Sequence, residues 1–313
     1  MATVLCVVGP TATGKTKMGV ALAKRFHGEV VSVDSMQIYR GMAVGTAAPT
    51  IEEMEGIPHH MVAVADPAES WSVARYVQAA DACVQDILSR GKLPVLVGGT
   101  GLYLDALIRG TDFAAGSQGT EIRQALQHRA RTEGIEALLE ELRKIDPTAA
   151  EKLHLRDEKR IIRALEVWQE TGRTITEHDA LERQRPPKYD ALYIGLDFED
   201  RQDLRDRINR RVDAMVAQGL LAEVEALLSG GLPRDATALQ AIGYKQFLAV
   251  AEGTATTEEA IAEVKLRSRQ YAKRQLTWLR RNPDIFWVRW QRDPNFPEGL
   301  QKATEYLHSR GLC

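Results

Sequence analysis

The segment LCVVGPTATGKTKMGVALAKRF, residues 5–26, decides the fold class. Residues 4–8 are an unbroken apolar run. The run is too short for a signal peptide and has no basic region before it, so it reads as a buried strand. Residues 9–16, GPTATGKT, match G-x-x-x-x-G-K-[ST] in full, between that strand and a helix expected over 15–26. In such a loop the glycines let successive backbone N–H groups turn inward, and the helix N-terminus adds positive potential. Gly9, Thr11, Ala12, Thr13, Gly14, Lys15 and Thr16 are therefore candidate phosphate-binding residues. Lys15 offers an ammonium to the outer phosphate, and Thr16 offers a hydroxyl to Mg²⁺. The motif does not say what carries the phosphate.

Outward from this loop the chain alternates strand and helix. Strands are expected at 3–8, 29–33 and 93–97, and a helix at 72–90, rich in apolar positions at helical spacing. This pattern predicts an α/β fold, a P-loop-type parallel sheet covered by helices. From 120 to about 176 the strand signal almost vanishes, and helices are expected at 121–133, 135–144, 147–152 and 157–171. ERQRPPKYD, 182–190, reads as a linker, and a strand returns at 191–198. The expected organisation is a core over 1–114 and 191–313, interrupted by a helical insertion at 115–190. A last strand is expected at 285–288.

The composition is ordinary for a globular chain: 44% hydrophobic, 27% charged, formal net charge −2. A nucleic-acid site must then be a local patch. Cys6, Cys83 and Cys313 form no disulfide framework and no zinc pair, which fits a reducing cytoplasm. No stretch approaches the roughly 20 apolar residues of a membrane span.

Two strand ends face the same rim as the phosphate loop. SVDSMQIYRG, 32–41, places Asp34 there as a metal ligand, a cap or a base. LVGGTGLYLDAL, 96–107, places Thr100 there. A nucleotide hydrolase of this class has an apolar strand ending in an Asp that holds magnesium. Only SVDS ends so near the loop, which weakens the case for ATP. Residues 264–283, VKLRSRQYAKRQLTWLRRNP, carry seven basic residues and no acidic one, with Tyr271 and Trp278 interleaved. That mixture suits a phosphate backbone and unstacked bases. At 3.6 residues per turn Lys273, Arg274 and Arg280 are expected roughly on one helix face. Lys159, Arg160 and Arg163 add positive charge to the insertion.

GPTATGKT, VSVDSMQIYRGMAVGTA, PHHM, LVGGTGLYL, KRIIRALEV, AIGYKQ and AKRQLTWLRR occur in this order, and together they resemble the bacterial tRNA dimethylallyltransferases, to about residue 282. That family moves a dimethylallyl group from dimethylallyl diphosphate to N6 of adenosine 37, beside the anticodon, in tRNAs reading codons that begin with U. The resemblance implies a diphosphate in the loop, Mg²⁺ as cofactor, and the tRNA anticodon stem-loop as partner. It also implies Asp34 as general base, Thr100 at the reaction centre, and Arg211 near the diphosphate. The tRNA-contacting positions it implies are Ser35, Met36 and Gln37; Arg123; Lys159, Arg160, Ile161, Ile162 and Arg163; Gln240, Ala241, Ile242, Gly243, Tyr244 and Lys245; and Lys273, Arg274, Gln275, Trp278 and Arg280. A monomer is expected. One position departs from the family: GTAAP, 45–49, stands where GTAKP is usual, so Ala48 lacks that lysine's charge. Eukaryotic relatives carry a zinc-finger extension, for which this chain lacks the cysteines, so a bacterial-type cytoplasmic enzyme is expected. Two rivals share parts of this pattern. A small-molecule or nucleoside kinase leaves the basic stretch unexplained. A nucleotide-gated RNA-binding protein gives Asp34 and Thr100 no task.

Overall fold

β1 (Ala2–Val8) is apolar because it lies at the heart of the sheet, hydrogen-bonded on both sides, with Val4–Val8 all buried. The computed structural model describes residues 1–111, 113 and 121–313. After β1 come α1 (Lys15–Arg25), β2 (Gly28–Val33), the short α2 (Ala43–Thr46) and α3 (Ile51–Met54), β3 (His59–His60), α4 (Val73–Ser89), β4 (Leu93–Gly98) and α5 (Gly101–Arg109). Then follow α6 (Glu121–Thr132), α7 (Ile135–Ile145), α8 (Pro147–Ala150), α9 (Glu158–Thr171) and α10 (Ile175–Gln184). The chain returns with β5 (Tyr189–Phe198), α11 (Arg201–Ala217), α12 (Leu220–Ser229), α13 (Tyr244–Ala251), α14 (Thr257–Leu279), β6 (Ile285–Trp290) and α15 (Phe296–Ser309).

Two compact units result: Met1–Ile108 with Lys188–Cys313, and Arg109–Pro187. The boundary expected at 114–115 lies outside the described residues. In the first unit the strand order is β3-β2-β4-β1-β5-β6, every pair parallel. Parallel register brings the carboxyl ends of β1, β2, β4 and β5 to one rim, where open α/β sheets hold ligands. Residues 9–16, Asp34 and Thr100 follow directly from three of those ends.

The second unit has its own core, built from Leu126, Leu138, Leu142, Ile161, Ile162 and Leu165. Its α10 is absent from the sequence expectations, although Thr174 and Glu177 form a capping box that marks its start. Asp146, buried, accepts from Ala149 N at the start of α8 and from Thr176 N and Oγ1 on α10.

At the start of β2 Glu29 is 2% exposed and gathers three partners. Arg90 grips it with both Nη atoms (2.5 and 2.9 Å), Lys92 at 2.7 Å and His60 at 2.8 Å. The Arg90 bond above all, opposed by burial and helped by Lys92 and His60, holds this carboxyl well below its ordinary 4.5. A depressed carboxylate lends stability that is fully present above its unfolded value and is lost as pH falls below it. Glu29→Gln is expected to lower unfolding free energy by about 2 kcal/mol at neutral pH, since the stranded cations stay partly solvated. Denaturant melts from pH 7 to 3 are the check: the variant loses less on acidification below pH 4.5 than the wild type.

Candidate active site

The loop after β1 holds two left-handed residues, Ala12 (φ 67°) and Gly14 (φ 86°). A non-glycine residue persists there only when its surroundings over-determine the backbone. They do so here. Thr13 Oγ1 donates to Pro10 O (2.9 Å) and Arg207 Nε to Ala12 O (3.2 Å). Gln275, on α14 and 5% exposed, accepts from Thr11 N (2.9 Å) and donates to Gly99 O (3.1 Å). One amide thus clasps the phosphate loop to the loop that carries Thr100. Gly99 has to be glycine, since a Cβ would meet Gln275 Nε2 at 2.2 Å.

Lys15 Nζ donates to Pro10 O (2.7 Å). Its pKa is pulled down to about 7, chiefly by burial, then by Arg211, with Asp34 opposing. Burial likewise lowers Arg211, against the pull of Asp34 and Glu53 and with Arg207 adding to the shift. Two desolvated cations whose burial outweighs the pull of Asp34 and Glu53 leave room for further negative charge. An anion at the loop would supply it.

Asp34, beyond β2, accepts through Oδ1 from Met36 N (2.8 Å) and Gln37 N (3.3 Å). These bonds hold the carboxylate at the head of the turn. Around it stand three phenols, Tyr76, Tyr103 and Tyr271, each shifted upward by burial first and by the Asp34 charge among the lesser causes; Tyr103 reaches about 12. They stay protonated. Thr100 Oγ1 is buried close to the Tyr271 side chain, and it makes no hydrogen bond of standard geometry. A buried hydroxyl left so is a place for a ligand atom. Asp34, Lys15, Arg211 and Thr100 therefore share one neighbourhood. A cleft of about 590 Å³ opens beside it, lined by Gly14, Thr16, Arg207, Arg210 and Arg211, with Ala48 in its wall.

Several sequence expectations need correction. SVDS is not alone in ending near the loop with Asp: β5, beside β1, carries Asp197 near its end, but Arg280 Nη2 pairs with Asp197 Oδ2 at 3.2 Å. Arg280 thus pairs with Asp197 through one Nη while its side chain stays half exposed. Lys273, Arg274 and Arg280 do not all share a face: seven-residue spacing aligns Lys273 with Arg280, whereas Arg274 is turned from Lys273 by about 100°. Lys273 lines a groove with Arg201, Arg205 and Arg269 of α11 and α14, whereas Arg274 lies over the Tyr271 ring (5.7 Å) and Arg281 over Trp278 (5.4 Å). Trp278 Nε1 donates to Asp105 Oδ2 (3.0 Å) and its ring packs on Gly101. Gln275 is an internal clasp, not a surface residue.

Four further positions expected to touch tRNA have buried side chains: Ile161 and Ile162 in the core of the second unit, and Ala241 and Tyr244 in the first. Tyr244 Oη donates to Glu223 Oε1 (2.5 Å), and the same carboxylate accepts from Val44 N and Gly45 N, fastening α2. Gly243 is buried at φ 101° and Ile242 is partly buried. Gln37 is hydrogen-bonded at both ends, accepting from Ser32 Oγ and donating to Thr46 O and Ala47 O. Ser35 and Met36 are partly buried at the rim, and Lys159, Arg160, Gln240 and Lys245 are exposed. Arg123 and Arg163 both reach the fully buried Glu166 (2.5 and 2.9 Å). Sequence reasoning missed Tyr103, Arg207 and the clasp; a lone glutamine among the buried Ala272, Leu276 and Leu279 was the available signal for the last.

A family model described as IPP transferase matches residues 37–282, and one described as isopentenyl transferase matches 2–63. The chain is 48% identical over 303 residues to the tRNA dimethylallyltransferase of Halalkalibacterium halodurans, covering 97% of this chain and 96% of that one. It is 44% identical over 305 residues to that of Caldanaerobacter subterraneus subsp. tengcongensis, covering 97% of each. Among solved structures it resembles the full-length tRNA isopentenylpyrophosphate transferase of Bacillus halodurans (TM-score 0.74, 42% identity, 99% of this chain and 96% of that one). It also resembles a eukaryotic dimethylallyltransferase acting on tRNA (TM-score 0.83, 28% identity, 99% and 80%). On sequence and architecture together, the chain belongs to the IPP transferase family.

Proposed function

We propose that this protein is a tRNA dimethylallyltransferase, moving a dimethylallyl group from dimethylallyl diphosphate to N6 of adenosine 37 in tRNAs reading codons that begin with U. The observation that carries the reading is the Asp34 carboxylate facing Lys15 and Arg211 at the mouth of the phosphate loop, beside the unpartnered Thr100 hydroxyl. The relatives' names support tRNA as acceptor and a dimethylallyl group as the one moved.

In the reaction a bond forms between N6 and C1 of the dimethylallyl group while the C1–O bond breaks. The electron pair leaves on the diphosphate oxygen, and the N6 proton passes to Asp34. An exocyclic adenine amine is a poor nucleophile because its lone pair is delocalised, and its proton becomes acidic only as the new bond forms. A positioned carboxylate then suffices as base. Loop amides, Lys15 and Arg211 stabilise the charge growing on the leaving oxygen. The adenine must leave its stack to reach Asp34. In this reading the Thr100 hydroxyl holds the incoming amine or base edge. For Mg²⁺ the donor set fits an ion held mostly by substrate: Thr16 offers a hydroxyl, and among the described residues no group of three His, Cys, Asp or Glu could hold a metal. When bound, the ion neutralises diphosphate charge.

The test uses dimethylallyl diphosphate labelled in the dimethylallyl group, with unmodified tRNA. Label appearing in tRNA at adenosine 37 is the expected result. Its absence, with phosphate instead moving from labelled ATP to a small molecule, overturns the reading in favour of a kinase. The RNA side has its own check. Arg274 and Arg281 lie seven residues apart on one stripe of the basic segment, over Tyr271 and Trp278. Replacing both by Ala should flatten the plot of log tRNA affinity against log salt by about 0.7–0.9 for each phosphate no longer neutralised. Titration at several salt concentrations measures it, and an unchanged slope places the RNA elsewhere.

A further inference from the structure

The segment after residue 282, beyond the IPP transferase match, reaches back to the phosphate loop. Trp290, the last residue of β6 and 3% exposed, donates its indole N–H to Thr13 O at 2.9 Å. Phe296, the first residue of α15, lies against Gly14, where a Cβ would meet its Cζ at 2.5 Å. The two rings pack at 5.0 Å, and Lys17 Nζ lies 4.5 Å from the Phe296 centroid.

The geometry has a direct consequence for the loop amides. A trans peptide is planar, and its C=O and N–H point in opposite directions. The carbonyl of Thr13 and the N–H of Gly14 belong to one such plane. Fixing the carbonyl on Trp290 turns the Gly14 N–H the other way, into the loop. Gly14 is left-handed and carries no Cβ, so its own backbone resists reorientation little. The Phe296 ring closes the space through which the peptide would otherwise flip.

We infer that Trp290 and Phe296 are positioning residues for the diphosphate: they hold the Thr13–Gly14 peptide so that the Gly14 N–H meets the leaving group. This rests on the transferase reading, in which the loop binds a diphosphate. The role is distinct from general packing, because it acts through one hydrogen bond that the smaller phenyl ring, though aromatic, cannot make.

Trp290→Phe keeps an aromatic ring and deletes the donor. Calorimetric titration of the variant and the wild type with inorganic diphosphate and with dimethylallyl diphosphate, without tRNA, reads the effect directly. Affinity for both should fall about tenfold, KM for dimethylallyl diphosphate should rise in step, and KM for tRNA should stay within twofold. Phe296→Leu, which retains the indole bond, should give a smaller loss of the same kind. Unchanged diphosphate affinity in both variants, or a fall in melting temperature without any change in affinity, overturns the inference. So does an equal loss towards tRNA and diphosphate. A wild type that binds neither diphosphate is a different failure, since it sinks the transferase reading itself.

Discussion

Asp34→Asn lowers the transfer rate at saturating substrates by roughly 10²- to 10⁴-fold, the range for removing a general base from a positioned site. The amide keeps the shape, and its Oδ1 can still accept from the N–H groups of Met36 and Gln37, so the turn survives. Dimethylallyl diphosphate affinity should change little and, if anything, improve, because a negative charge near the loop is gone. Single-turnover measurements with preformed tRNA complex separate chemistry from binding. A variant that loses diphosphate and Mg²⁺ binding while retaining the chemical rate would show Asp34 to be a metal ligand instead.

Lys15→Ala should cost about 2–4 kcal/mol of leaving-group stabilisation. Affinity for tRNA should be nearly unaffected, as this side chain is bent onto Pro10 O within its own loop. The fold should not suffer. A buried lysine whose pKa is pulled down to about 7 is held at a cost in the free protein, so removing it leaves the melting temperature unchanged or raises it. Loss of tRNA affinity in proportion to the lost turnover would contradict this division between loop and RNA surface.

How far the sequence could be read depended on whether a residue's task was local. The 9–16 loop, the strand before it and the helix after it are decided within twenty-odd residues, and they were legible. So was the parallel sheet, because strands buried on both faces are apolar throughout. The phosphate loop alone pointed to a kinase as readily as to a transferase, and family membership removed that ambiguity. What failed were segments treated as uniform. Ile161 and Ile162 sit between exposed Arg160 and half-buried Arg163 on α9, so a contiguous string mixes core and surface at helical period. The same fault puts Tyr244 and Gln275 among RNA contacts. Their partners lie 21 and 264 residues away, and no spacing rule reveals such pairings.

The loop at the start of the chain is held by residues made near its end. Gln275 takes the Thr11 amide, Arg207 the Ala12 carbonyl and Trp290 the Thr13 carbonyl. During synthesis the amino-terminal strand and helix emerge first. The strand can find β4 early, yet the cradle itself stays without its clasps until almost the whole chain has left the ribosome. A nascent or truncated chain that lacks these residues therefore lacks the hydrogen bonds that fix the Thr11, Ala12 and Thr13 backbone. The same dependence means that the GPTATGKT loop is not a portable cassette: grafted into another sheet without α11, α14 and β6, it keeps its sequence and loses its shape.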